Sequence, residues 1–192
     1  FGMGADGQQP LKVDIDIVPR KIWTRSTLTL DFIRDYCDMV WESSNDRPLC
    51  AAQGHVYGVG AVNRYLEGGI LEGPSDENEP LLIMIPSEGA DGFISGRYPP
   101  IEVKSGDYFQ SWVGCMHDSP WCSLTLELAY TADGSPPQVL GSWEQYDDGA
   151  KDYAVVDLSS LAGRTVSFML IVRNNGDSRD DRAFWLTPAI VH

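Results

Sequence analysis

The chain has 192 residues, 28 of them acidic and 14 basic, for a formal net charge of −14. So acidic a surface repels phosphate backbones, which makes nucleic acid and anionic membrane poor partners. Hydrophobic residues make up 43%; that supplies a full core, excludes disorder of the whole chain, and includes no apolar run near the ~18 residues of a membrane-spanning helix.

Period-two hydrophobic alternation predicts strands along most of the chain. The opening Phe1 to Pro10 is Gly- and Gln-rich, and the chain starts at Phe1 without a signal peptide, which fits a processed or trimmed protein. Leu11, Val13, Ile15 and Ile17 alternate with Lys12, Asp14 and Asp16, a half-buried strand that Pro19 ends. Further strands are expected over Ile22 to Leu30, Tyr36 to Glu42, Val56 to Val62 and the continuous apolar run Leu81 to Ile85. Residues 1–30 are expected to be an N-terminal extension or edge strands, and residues 31–192 the main domain.

The second half is more regular. Strands are predicted over Asp107 to Cys115, Leu124 to Tyr130, Val139 to Tyr146, Tyr153 to Leu158, Val166 to Val172 and Ala183 to Val191. Residues 133–137 form a Gly/Pro-rich turn. Ser159 to Ala162, capped by Gly163, reads as about one helical turn. Roughly ten strands with turns between them predict an all-β fold, a sandwich or a barrel.

Cys37 and Cys50 bracket one short segment, Cys115 and Cys122 another. Neither spacing is CxxC, and no histidine stands at ligand spacing, which argues against zinc. Of three possible connectivities, the local one, Cys37–Cys50 and Cys115–Cys122, needs no long-range coincidence. Each bridge would add about 2–3 kcal/mol and implies an oxidising location: secreted, extracellular or cell-surface.

No catalytic residues are expected. The chain has no nucleophile elbow, no HExxH and no P-loop. Its three histidines, His55, His117 and His192, have no evident nucleophile partner. The acids are too many for sequence to single out a glycosidase pair. Two oxygen-rich stretches, Asn174 to Asp181 and Asp76 to Glu79, leave a structural calcium open, though neither has EF-hand spacing; no other cofactor is expected.

Six Trp and eight Tyr are the remaining chemical resource, because flat aromatic faces stack on sugar rings while polar groups read the hydroxyls. Trp121 sits in the loop bracketed by Cys115 and Cys122. Trp143, Glu144 and Tyr146 lie at a strand end, as do Arg173 and Asn174. These six residues are the expected ligand site, although Trp41, Trp112, Trp143 and Trp185 also fit core or sheet-face packing.

The stretch Val156-Asp157-Leu158-Ser159-Ser160-Leu161-Ala162-Gly163-Arg164-Thr165-Val166, followed by Phe168 to Arg173 and Ala183-Phe184-Trp185, resembles the C-terminal half of a galactose-binding-like jelly roll. It is similar to sugar-recognition modules appended to glycoside hydrolases. From Asp31 to Val191 the chain also resembles secreted modules of filamentous green bacteria (Chloroflexi), through the two local Cys pairs and the segment Tyr98-Pro99-Pro100-Ile101-Glu102-Val103-Lys104-Ser105-Gly106-Asp107. The resemblance implies an antiparallel β-sandwich of jelly-roll type and a non-catalytic recognition module whose partner is a glycan. The rival expectation is a structural subunit of an extracellular filament or surface layer. There neighbouring copies of itself would be the partner, joined through the N-terminal arm by strand addition.

Overall fold

A computed structural model describes residues 27–34, 36–45, 48–51, 59–64, 69–72, 75–77, 79–132, 134–176 and 179–192. The arm Phe1 to Pro10, the strand expected from Leu11 to Ile17 and most of that from Ile22 to Leu30 lie outside these residues.

Fifteen strands are described: β1 (Leu28–Asp31), β2 (Val40–Ser43), β3 (Leu49–Ala51), β4 (Gly60–Arg64), β5 (Gly69–Leu71), β6 (Ser75–Glu77), β7 (Leu81–Ile85), β8 (Phe93–Arg97), β9 (Ile101–Glu102), β10 (Tyr108–Cys115), β11 (Ser123–Thr131), β12 (Gln138–Tyr146), β13 (Asp152–Asp157), β14 (Thr165–Asn174) and β15 (Ala183–Val191). A seven-stranded sheet runs β13-β10-β15-β7-β4-β3, with β1 also paired to β15. A six-stranded sheet runs β12-β11-β14-β8-β2, with β9 paired to the start of β14. Every pair is antiparallel except β3 with β4. The expected jelly-roll sandwich is the fold observed.

The two sheets close on one core. On β11, Leu124, Leu126 and Leu128 point inward, as do Val166, Phe168, Leu170 and Val172 on β14; all seven are buried. Aromatic rings cross the gap. Phe109 and Trp185 of the seven-stranded sheet meet at 6.1 Å, and Trp143 of β12 reaches Trp185 at 6.1 Å and Phe109 at 6.4 Å. Phe32, which follows β1, packs edge-on to Phe109 and to Tyr98, and the Tyr98 hydroxyl donates to the Phe32 carbonyl. These edge-to-face pairs suit the ring quadrupoles. β1 is therefore part of the sandwich, and it spans the position where sequence divides extension from domain.

Both motifs behind the family resemblance shape turns. Asp157 Oδ1 accepts from the backbone N–H and hydroxyl of Ser159, which opens the 3₁₀ turn Ser159–Leu161; these bonds hold the Asp157 carboxyl below its usual range. Asp107, wholly buried, accepts from Lys104 N–H at 2.8 Å and lies 3.1 Å from His192 Nδ1. Both predicted disulfides are formed, Cys37–Cys50 and Cys115–Cys122.

The strand expected from Tyr36 to Glu42 is half wrong. Tyr36–Asp38 is a 3₁₀ turn, and the strand begins at Val40. Asp31 Oδ1 accepts from the N–H groups of Ile33 and Arg34, which bends the chain before Tyr36. The Trp41 indole then donates to the Tyr36 carbonyl at 2.7 Å.

Glu72 is 2% exposed; its Oε1 accepts from Gly149 N–H, and its Oε2 is buried without a partner. Burial, with the charges of Asp147 and Asp148 behind it, pushes its carboxyl above the usual range. Its contribution to stability is therefore complete below the ordinary glutamate value and is lost as pH rises through the raised one. Glu72→Gln is expected to gain stability relative to the native protein as pH rises from about 4 to neutrality. Urea unfolding of both proteins across that range checks the sign.

Candidate functional site

The outer face of the six-stranded sheet is assembled by cross-strand register, since directly opposed residues share a face. Tyr146 stands opposite Ser123 at one end. The next row is Glu144, Thr125, Arg173 and Phe93, contributed by β12, β11, β14 and β8. The row after it is Ser142, Glu127, Ile171, Ser95 and Glu42. Farther along, Ala129, Met169 and Arg97 follow. Ala129, Met169 and Ile171 form a small buried cluster of their own, so the floor of this face is apolar while its flanks are polar. At the far end a groove of about 450 Å³ lies between Glu42, Arg97, Thr131, Thr165 and Ser167.

Electrostatics stiffen the near end. Arg173 Nε donates to Glu127 Oε2 at 2.9 Å, and its guanidinium lies 5.5 Å from the centre of the Phe93 ring. The Tyr146 hydroxyl donates to Glu144 Oε2 at 3.1 Å, a bond that holds the phenol's pKa above its usual value. Thr125 Oγ1 donates to Asn175 Oδ1 at 2.8 Å. Each group is thus oriented before any ligand arrives, which lowers the entropic cost of binding.

Trp121 is 58% exposed on the Cys115–Cys122 loop, which leads into β11 at Ser123, opposite Tyr146. The loop is tied from behind. Arg182 donates to Ser119 Oγ at 3.1 Å and to the carbonyl of Asp118, and Cys122 N–H donates to the Ser119 carbonyl. Asp181 Oδ1 takes the N–H of Ser123, where β11 begins. The Arg179 guanidinium sits 4.9 Å from the Trp121 ring centre, at cation–π distance.

Of the six expected ligand residues, Glu144, Tyr146 and Arg173 share the outer face, and Trp121 is on the loop that leads into β11 at Ser123. Trp143 and Asn174 do not join them. Strand alternation turns both inward, since each is the immediate neighbour of an outward residue. Trp143 belongs to the aromatic packing against Phe109 and Trp185. Asn174 is 6% exposed, and its amide donates to the carbonyls of Ser87 at 2.6 Å and Gly89 at 2.9 Å. Gly92 makes room for this clamp: a Cβ there would fall 1.9 Å from Ser87 O. Sequence reasoning missed Thr125, Glu127 and Phe93. The first two alternate with the buried leucines of β11, and that parity was the available signal.

Of the oxygen-rich stretches, Asn174 and Asp181 are spoken for in these contacts, while Asp177 and Asn78 lie outside the described residues. Among the described residues, no group of three or more His, Cys, Asp or Glu is placed to share a metal ion.

No family model matches the chain, and no curated protein does. Solved structures match well. One is TmCBM61 in complex with β-1,4-galactotriose, at a TM-score of 0.51 and 11% identity over 86% of this chain and 98% of that one. This chain and that module share a β-sandwich fold. A second match is a structure of carbohydrate-binding modules of the β-sandwich superfamily described as promiscuous in specificity (TM-score 0.53, 12% identity, 88% of this chain and 62% of that one). A third is CBM51 from Clostridium perfringens GH95 in complex with methyl-galactose (TM-score 0.50, 14% identity, 85% and 99%). At such identities the likeness is one of fold.

Proposed function

We propose that the protein is a non-catalytic glycan-recognition module working outside the cell. Its binding surface is the outer face of the six-stranded sheet, with Trp121 at one end. The observation that carries this reading is Trp121 itself, an exposed indole on a loop that is closed by a disulfide, is tied down by Arg182 and leads into β11 at Ser123, the residue opposite Tyr146. A sugar ring stacks on the indole, and the flanking carboxylate, phenol and guanidinium read its hydroxyls. The fold shared with modules solved on galactosides supports a sugar as ligand, and two formed disulfides support an oxidising compartment. The likeness to secreted modules of filamentous green bacteria rests on sequence motifs alone.

The test is a glycan array followed by calorimetry on the best hit. Trp121→Ala is expected to weaken affinity about tenfold or more while leaving the melting temperature in place, because the side chain is solvated. Undiminished binding by this variant sinks the site assignment, and silence across the array sinks the function.

A further inference from the structure

The seven-stranded sheet carries a second aromatic surface, on the side of the molecule away from the first. Trp112 of β10 stands directly opposite Tyr153 of β13 and Leu186 of β15. The Trp112 and Tyr153 rings are 5.0 Å apart at 41° and are 42% and 43% exposed. The Tyr153 hydroxyl donates to Gln110 Oε1 at 2.9 Å, which fixes its ring. Beside Trp112 opens a pocket of about 410 Å³ bounded by Glu79, Lys151, Leu186 and Thr187, within the size range of small-molecule sites.

The backbone there is built at a cost. Thr187 has φ +50°, a left-handed conformation that a β-branched residue rarely adopts. It is held there by its N–H to the Pro80 carbonyl at 2.9 Å. The register between β10 and β15 also slips at this point, from Gln110 opposite Ala189 to Trp112 opposite Leu186. Ser111 Oγ donates into the slip, to the Leu186 carbonyl at 3.1 Å. Such bulges redirect side chains, and here an indole and a threonine line the same pocket.

We propose that this pocket is a second sugar site, taking a single neutral pyranose whose apolar face lies on Trp112 while Glu79, Lys151 and Thr187 meet its hydroxyls. Neutrality follows from the walls: one carboxylate and one ammonium cancel, in a chain whose net charge of −14 otherwise disfavours acidic sugars. A protein partner fits less well. Among the described residues, the exposed large apolar side chains at this place are three, Trp112, Tyr153 and Val155, whereas each side of a stable interface brings roughly 20–30 residues together. The second site does not depend on where the first lies.

The indole N–H signals of the six tryptophans, assigned with Trp112→Phe and Trp121→Phe, provide the test. The probes are methyl-β-galactoside, β-1,4-galactotriose and xylohexaose at millimolar concentration. At least one sugar is expected to move the Trp112 signal saturably, with a midpoint unchanged by Trp121→Ala, and Trp112→Ala is expected to weaken that event about tenfold or more. A still Trp112 signal alongside a moving Trp121 signal overturns the second site and leaves the first standing. Movement of Trp112 alone does the reverse. Loss of the Trp112 response in Trp121→Ala overturns independence. A mass in light scattering that doubles, and that Trp112→Ala halves, overturns the proposal in favour of contact between copies.

Discussion

Removing both disulfides is expected to lower the unfolding free energy by about 5.5 kcal/mol. The bridged residues are 13 and 7 apart in sequence, and loops of that size restrict the unfolded chain by about 3 and about 2.5 kcal/mol. Domains of this class hold about 5–15 kcal/mol in total, so the loss is of the order of the whole margin. Location matters as well. Cys37 lies in the crossover from β1 of one sheet to β2 of the other, and its bridge pins that crossover to β3. The Cys115–Cys122 bridge closes the loop that carries Trp121. Denaturant titration of the oxidised protein and of a variant with all four cysteines changed to serine measures the difference. A loss below about 2 kcal/mol would mean that contacts such as Arg182 to Asp118 hold the loops unaided. A variant lacking only Cys115 and Cys122 is expected to lose sugar affinity along with stability, because Trp121 is then no longer held in place.

The second large effect lies at the centre of the core. Trp185 is wholly buried, with Phe109 and Trp143 against its ring. Trp185→Ala leaves a void that the two sheets cannot collapse to fill, and is expected to cost about 3–5 kcal/mol. Trp185→Phe is expected to cost distinctly less. It keeps most of the ring, and it removes an indole Nε1 that is buried without an acceptor, a donor whose desolvation is uncompensated. Equal midpoints for the two variants would refute the claim that the void left by the missing ring is what costs stability. Any sugar binding that survives in Trp185→Phe separates the core from the outer face.

Much of the sandwich was legible because water lies on one side of its sheets and the core on the other. β11 and β14 are the clearest cases: their inward residues are Leu, Val and Phe, and period two is unmistakable. β8 was missed for a physical reason. Its inward position 96 is glycine, because the Trp41 ring of β2 fills that space; a Cβ on Gly96 would lie 2.8 Å from Trp41 ring carbons. A side chain from the adjacent strand thus stands in for the local apolar residue, and no pattern within Phe93–Arg97 reports it. β3, β5, β6 and β9 are two or three residues long, too short to show alternation. The turn at Tyr36 imitates a strand because the Asp31 side chain, rather than hydrophobic periodicity, sets its course.

The site was legible in the same uneven way. Trp121 stood out because two cysteines seven residues apart make a small closed loop, and a bulky side chain on such a loop has little core to enter. Trp143 next to Glu144, and Arg173 next to Asn174, could not all face one ligand, since adjacent strand residues point to opposite sides. Choosing which of each pair faces outward requires knowing which face is core. The pocket beside Trp112 depends on Glu79, Lys151 and Thr187, brought together from separated parts of the chain.

Alternation on β11 and β14 also bears on how such a protein changes over generations. The codons for Leu124, Leu126, Leu128, Val166, Phe168, Leu170 and Val172 answer to the packed interior. The interleaved codons for Thr125, Glu127 and Arg173 answer to the surface and to one another, through bonds such as Arg173 to Glu127. Selection can rewrite the second set while holding the first, one residue at a time, so the chemistry of the surface drifts without the architecture passing through an unfolded intermediate. A lineage free to edit half of each strand erases sequence likeness quickly and keeps its shape, which is how a sandwich can match its neighbours at 11–14% identity.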